Sequence, residues 1–235
     1  EDLKDNMWEN TYQPKLRGEY GYDFAHKDTD PMDGNGHGTH CAGIIGAKGD
    51  NGVGVSGMNH NVKIMALKAL LDDGSGFEDD FVDAYNYINK ALNLGVNIVA
   101  INNSWGGDES STIFKKLIDL VGAKGAVSVC AAGNESADND KTATYPANYD
   151  SSYKISVAAT NEKGELSSYS NYGSEKVDIA APGSNILSTY SKDCYNPSIY
   201  SDEKQKEVTQ KFENFNGEST WADWSPENIQ VTSTL

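Results

Sequence analysis

Apolar positions along this chain follow two alternating rhythms from Val62 onward: short continuous runs, then longer stretches in which apolar residues recur every three or four positions. The first rhythm suits a buried strand and the second an amphipathic helix. Residues 62–67 predict a strand. A helix follows from about Ser75, where Ser75 and Glu78 have capping-box spacing and Phe81, Ala84, Tyr85, Ile88, Ala91 and Leu92 share one face. Gly95 ends it. Residues 96–102 predict the next strand, and residues 111–121 a helix with Ile113, Phe114, Leu117, Ile118 and Val121 on one side, closed by Gly125. Further strands are expected at 126–132, 155–159 and 177–180, the last stopped by Pro182 and Gly183. Strands alternating with helices indicate an α/β fold with a mainly parallel sheet. Right-handed crossovers then place the carboxyl ends of the strands along one edge, where ligand sites gather. Three glycine-rich loops, 72–76, 103–107 and 133–136, fall on that edge. The last stretch differs. Phe212, Phe215, Trp221 and Trp224 follow no register, so residues 1–190 are expected to form one domain and residues 191–235 to begin an insertion or second module.

Composition bounds the function. The 235 residues carry 19 Lys+Arg against 35 Asp+Glu, a net charge of -16. Nucleic acid and anionic membrane surfaces are therefore poor partners, because binding them relies on clustered Lys and Arg. A hydrophobic content of 37% with 23 glycines is enough for a sizeable core. No apolar run approaches the roughly 20 residues of a membrane span, so a soluble chain is expected. Cys41, Cys130 and Cys194 are odd in number and scattered, so at least one thiol has no partner within the chain. The first residue is Glu1 with no leader pattern after it, which suggests a processed, excised or incomplete chain.

Residues 36–43, Gly-His-Gly-Thr-His-Cys-Ala-Gly, open a helix with small residues and leave His37 at its start, facing a cleft. A histidine there suits a general base, although a lone histidine is more often held by a local hydrogen bond. His37 and His40 lack the spacing and the intervening Glu of a helical zinc motif.

Several further segments accompany this block. They are Asn103-Ser104-Trp105-Gly106-Gly107, Ala131-Ala132-Gly133-Asn134-Glu135, Thr144-Tyr145-Pro146-Ala147 and Ala181-Pro182-Gly183. Together with Asn35-Gly36-His37-Gly38-Thr39-His40, and in this order, they resemble the subtilisin-like serine proteases, the subtilases. The resemblance implies a three-layer, doubly wound α/β fold with helices on both faces of the sheet. It also implies a serine-type endopeptidase in which His37 is the base and Asn134 the oxyanion donor, an amide whose alternative reading is ordinary turn chemistry. Gly74, Ser75 and Gly76 resemble the family's edge segment. With Ser104, Trp105 and Gly106 they would hold a polypeptide substrate as an extended strand, while Ser75 also suits a helix cap. Thr144 on the pocket floor suggests a medium-sized side chain at the cleavage site. Asp72, Asp73, Glu78, Asp108 and Glu135 flank the groove and either favour basic substrate residues or form a solvated acidic surface.

Calcium is the cofactor the resemblance implies. Asp2 and Asn51, with the carbonyls of Gly49, Val53 and Val55, match the family's tight site, and oxygen ligands on a bent glycine-rich loop suit Ca2+. Asp23, Asp28 and Asp30 are a weaker match to a second site. Cys41 resembles a buried free thiol of some relatives, and a small apolar core residue is the preferred reading for it and for Cys130. An extracellular or cell-surface location, a propeptide partner and a monomeric state complete what the family implies.

Two triad members are not found. The family's aspartate sits upstream of the Asp2-Leu3-Lys4 segment and its serine in a downstream Gly-Thr-Ser motif, neither of which this sequence contains. Ser219 has the nearest textual match and Ser201 the better distance. Three readings follow: a fragment of a secreted subtilase, a pseudoprotease that binds peptides, and an enzyme with substitute residues. The fragment reading is preferred, because the base, the oxyanion amide and the pocket are all retained.

Overall fold

The computed structural model describes residues 2–191 and the backbone of residues 230–234. Its strands are β1 (Gly21–Asp23), β2 (Lys63–Lys68), β3 (Ile98–Asn103), β4 (Val127–Ala131), β5 (Lys154–Thr160), β6 (Ile179–Pro182) and β7 (Gln230–Thr234). They form one sheet in the order β1-β2-β7-β3-β4-β5-β6, and every pairing is parallel. The helices are α1 (His37–Gly46), α2 (Glu78–Asn93) and α3 (Thr112–Gly122).

Alternation along β2 shows that both faces are covered. Met65 and Leu67 enter the large core with Phe81, Ala84, Tyr85 and Ile88 of α2 and Phe114, Leu117 and Ile118 of α3. Ile64 points the other way, into a smaller core with Ala42 of α1 and Val62. Successive side chains of a strand alternate between faces, so α2 and α3 lie on one side of the sheet and α1 on the other. The three-layer, doubly wound arrangement is thus observed. Ile98 and Ile101 of β3 both enter the large core although they are three positions apart. A register shift between Ile98 and Ala100 against β7 restores their common face.

Most element boundaries fall within two residues of the sequence expectation, but α2 does not start as expected. It begins at Glu78 behind Phe77, with no side-chain cap. Ser75 Oγ instead donates to Asp73 Oδ1 at 2.6 Å, so the Ser75–Glu78 capping box does not form. In its place Glu78, Asp79 and Asp80 put negative charge on the first turn. By contrast Ser111 does cap α3, accepting from Phe114 N at 3.1 Å.

Two strands have no counterpart in the sequence expectation, β1 and β7. Strand β7 lies in the middle of the sheet, with Met65 and Ile101 both opposite Thr232. Its five residues pair with β2 and β3 in the same sheet, and residues 192–229 and 235 of the stretch after 190 lie outside the described residues.

Candidate active site

Helix α1 brings His37 to the carboxyl edge of the sheet. The turn before it is organised by Asp33, a buried side chain. Its Oδ1 accepts from Asn35 N at 2.9 Å and Gly36 N at 2.8 Å, and its Oδ2 accepts from Thr39 N at 2.8 Å and Thr39 Oγ1 at 2.7 Å. Burial acts to raise the Asp33 pKa, but the donors of Gly36, Thr39 and Asn35 together hold it below the ordinary carboxylate value. Gly36, the helix cap, has φ 98°, a left-handed conformation that favours glycine. This carboxylate anchors the helix start from which His37 projects.

The His37 ring reaches the solvent of the cleft while its surroundings strip part of its hydration. That desolvation lowers its pKa below the ordinary value; the charge of Asp33 opposes the shift and His40 adds to it. Nε2 lies 3.8 Å from Cys41 Sγ, one helical turn along. Cys41 is therefore not the core residue expected from the sequence: it is partly exposed and touches the ring. Burial raises its thiol pKa, with a hydrogen bond to Ser104 pulling the other way. Cys130 is fully buried, and desolvation pushes its pKa up to about 12. Among the described residues, no carboxylate and no hydroxyl is hydrogen-bonded to the His37 ring.

A cleft of about 540 Å3 opens beside His37. Of the predicted groove residues, Gly74, Ser75, Gly76, Ser104, Trp105 and Gly106 all line it. Asn134 and Thr144 are not in its wall. The first loop edge is fixed by Leu71 N donating to Ser75 O at 2.8 Å, and Asn35 Nδ2 ties it to the turn before α1 through Asp72 O at 2.9 Å. The second edge is fixed by an antiparallel pair between Gly107 and Tyr145. A Cβ on Gly106 would stand 3.1 Å from Thr144 Cγ2, so Thr144 backs this loop from behind.

Asn134 follows β4, and its side chain is exposed. The loop that carries it is built around Asn171, which the sequence reading passed over. Asn171 is fully buried. Its Oδ1 accepts from Glu135 N at 2.9 Å and Ala137 N at 3.0 Å. Its Nδ2 lies 3.2 Å from Ala132 O, 2.9 Å from Glu135 Oε2 and 3.1 Å from Asn139 Oδ1. Gly133 has φ 119°, and a Cβ there would meet Asn171 Nδ2 at 2.3 Å. Neither Asn171 nor Asp33 stands in a motif that names its partners. Asp33 has the weak signal of an Asp opening a turn two residues before Asn35, and Asn171 has none.

Of the proposed calcium residues, Asp2 meets Asn51 and Val55. Asp2 Oδ1 accepts from Asn51 Nδ2 and its Oδ2 from Val55 N, both at 2.8 Å. The carboxylate ties the loop at 49–55 to the start of the chain and is only 6% exposed. No ion pair to it occurs among the described residues. Both oxygens of this carboxylate thus have N–H donors, and Asn51 Oδ1 accepts from Val53 N at 3.0 Å; oxygen atoms on such a loop are the ligand type that Ca2+ takes. The weaker set, Asp23, Asp28 and Asp30, is not gathered for a metal. Asp23 Oδ2 is 2.9 Å from His26 Nδ1 and 3.5 Å from Lys68 Nζ, while Asp28 and Asp30 accept backbone N–H groups of their own loop. Among the described residues no group of three or more His, Cys, Asp or Glu side chains is placed to hold a metal ion.

A profile of the subtilase family matches residues 1–221. Among curated proteins, the chain is 41% identical over 175 residues to a thermophilic serine proteinase of Bacillus sp. strain AK1, covering 74% of this chain and 41% of that protein. It is 39% identical over 184 residues to thermitase of Thermoactinomyces vulgaris, covering 77% of this chain and 62% of that protein. Among solved structures, a cold-adapted subtilisin-like serine proteinase superposes with a TM-score of 0.63 at 31% identity, over 81% of this chain and 65% of the other. The chain thus spans between about two fifths and two thirds of the length of these relatives.

Proposed function

This chain belongs to the subtilase family, and from that premise we propose that it is part of a serine-type endopeptidase acting on polypeptides bound as extended strands. The observation that carries this reading is the single cleft in which the His37 ring stands between two loop edges, Gly74 to Gly76 and Ser104 to Gly106. Strand edges on both sides bind a substrate through its backbone, which makes affinity tolerant of sequence. His37 takes the proton of the attacking hydroxyl, and its lowered pKa keeps the ring neutral and able to accept that proton near pH 7. The Asn134 amide donates to the oxyanion of the tetrahedral intermediate. Thr144, behind Gly106, limits the adjacent pocket to a medium-sized side chain.

In this reading no residue assigned above serves as the acid or the nucleophile, and this polypeptide by itself is expected to cut nothing. Supporting this, the near neighbour of His37 Nε2 is a thiol at 3.8 Å whose pKa is raised, and a protonated thiol is a weak nucleophile. Ser201 and Ser219 lie outside the described residues. The same observation favours a second reading, in which the chain as it stands is a peptide-binding module. The isolated chain, incubated with a fluorescently labelled unstructured polypeptide, is expected to raise its polarisation without cleaving it. It is also expected to stay unlabelled by a serine-directed fluorophosphonate. Absence of binding contradicts the groove. Labelling contradicts the missing nucleophile.

Ca2+ is the structural ion in this reading, held by Asp2, Asn51 and the carbonyls of Gly49, Val53 and Val55. It would neutralise the buried Asp2 carboxylate and fix the loop behind α1. Addition of Ca2+ is expected to raise the melting temperature and a chelator to lower it, with the response lost in Asp2→Asn; a Tm indifferent to Ca2+ contradicts the site. Secretion or surface display, a propeptide partner and a monomeric state belong to the same proposal. Among the described residues no helix is long and apolar enough to cross a membrane.

A further inference from the structure

The chain places a glycine directly after an asparagine at 35–36, 51–52 and 216–217, the last pair outside the described residues. Such pairs are open to deamidation, because a glycine nitrogen is unhindered when it attacks the side-chain carbonyl before it. The fold treats the two described pairs differently. At 35–36 the nucleophile is engaged, since Gly36 N donates to the buried Asp33 Oδ1 at 2.8 Å. The amide is engaged too: Asn35 Nδ2 donates to Asp72 O at 2.9 Å, and Asn35 Oδ1 accepts from His37 N at 3.3 Å.

At 51–52 the nucleophile is open. Asn51 and Gly52 are exposed, a Cβ on Gly52 would meet nothing within 4 Å, and Gly52 N has no hydrogen-bond partner among the described residues. The electrophile is prepared as well. Asn51 Oδ1 accepts from Val53 N at 3.0 Å, a donor on the oxygen that turns anionic when its carbonyl is attacked. Asn51 Nδ2, the leaving nitrogen, donates to Asp2 Oδ1 at 2.8 Å. We propose that Asn51 is a site of spontaneous deamidation, and that the reaction turns the tie between the loop at 49–55 and the start of the chain from a hydrogen bond into a link that needs a divalent cation. Gly52 N gives its proton to solvent and bonds to Asn51 Cγ, the Cγ–Nδ2 bond breaks, and ammonia leaves after taking a proton from solvent. Water then opens the cyclic imide to aspartate or isoaspartate.

The consequence follows from what Asn51 touches. In place of the amide that donates to Asp2, the product presents a carboxylate to a carboxylate that is only 6% exposed. The hydrogen bond is lost and two like charges face each other. Asp2 is not free to swing aside, since its Oδ2 accepts from Val55 N at 2.8 Å and would lie 2.3 Å from a Cβ on Gly54. A divalent cation between the two carboxylates would offset the repulsion. This half of the proposal rests on the reading of residues 49–55 as a calcium loop.

The test incubates the 235-residue chain in mildly alkaline buffer, native and in urea, and follows its tryptic peptides by mass spectrometry. Trypsin cuts after Lys27, Lys48 and Lys63, which separates Asn35 from Asn51, and fragmentation places the gain of about 1 Da within each peptide. In the native chain Asn51 is expected to convert about tenfold faster than Asn35, with the gap closing in urea. A native Asn51 no faster than Asn35, or a gap that persists in urea, overturns the site. The variant Asn51→Asp is then melted beside the unaltered chain. In chelator it is expected to melt about 2–4 °C lower, and in Ca2+ to draw level. Equal melting in chelator overturns the loss of the tie. If Ca2+ raises the unaltered chain and leaves the variant behind, the cation-dependent link is overturned and the calcium loop stands. If Ca2+ moves neither, both are overturned.

Discussion

Two buried polar side chains do much of the positioning around the site, and each makes a separate expectation. Asp33 has its carboxyl pKa held low in the folded state by the donors at the start of α1. Such a group contributes stability above its unfolded pKa of about 3.9, and that contribution is lost as pH falls through the folded value. Asp33→Asn is therefore expected to flatten the acid limb of a stability-against-pH curve measured by urea unfolding; an unchanged limb counts against the role. His37 acts in the same direction at higher pH. Its folded pKa is lowered, so the unfolded state binds the proton more readily and stability falls as pH drops below about 6.5. An NMR titration of the ring is expected to give a midpoint below the ordinary histidine value, and lower still in Asp33→Asn, because the Asp33 charge raises it. Asn171→Ala leaves the N–H groups of Glu135 and Ala137 without their acceptor, at about 1–3 kcal/mol for each group that stays buried. Faster hydrogen exchange at those two amides than in the helices is the readout.

At the scale of elements, what was legible in the sequence follows from how local each signal is. The strands β2, β3, β4 and β5 and the helices α2 and α3 announce themselves by apolar spacing, since each buries a face that its own sequence defines. Strand β1 is only three residues long, and β7, Gln-Val-Thr-Ser-Thr, has a single apolar residue and so no apolar run or alternation; both are made strands by their neighbours. The capping box at Ser75 does not form for a physical reason: a cap needs Ser75 Oγ to accept from a helix N–H, and Asp73, two residues back, instead takes both the N–H and the hydroxyl of Ser75 as donors. Paired substitutions make this measurable. Ser111→Ala removes a cap bond of α3 and is expected to destabilise the chain by about 1 kcal/mol, whereas Ser75→Ala is expected to leave the stability of α2 unchanged. Equal effects in thermal melts would mean that the two helices start alike. In the same way the groove edges were visible as motifs, while the partners of the acids around them were not. Which acids are engaged depends on contacts such as Lys68 with Asp72 and Asn171 with Glu135, and no spacing encodes these.

For the molecule as a whole, a parallel sheet with α1 on one face and α2 and α3 on the other delivers His37, two strand edges and the Asn134 loop to one side. The acidic balance of -16 is then partly local: Asp2 is buried against the loop at 49–55, and Glu78, Asp108 and Glu109 are exposed along the cleft. The central claim is that this side of the molecule receives a polypeptide between two edges. It is tested most directly by an amide-resolved NMR titration of the isolated chain with an extended peptide. The backbone amides of residues 74–76 and 104–106 are expected to shift together and saturate at one peptide per chain. Saturable binding that leaves both segments unmoved would contradict the claim.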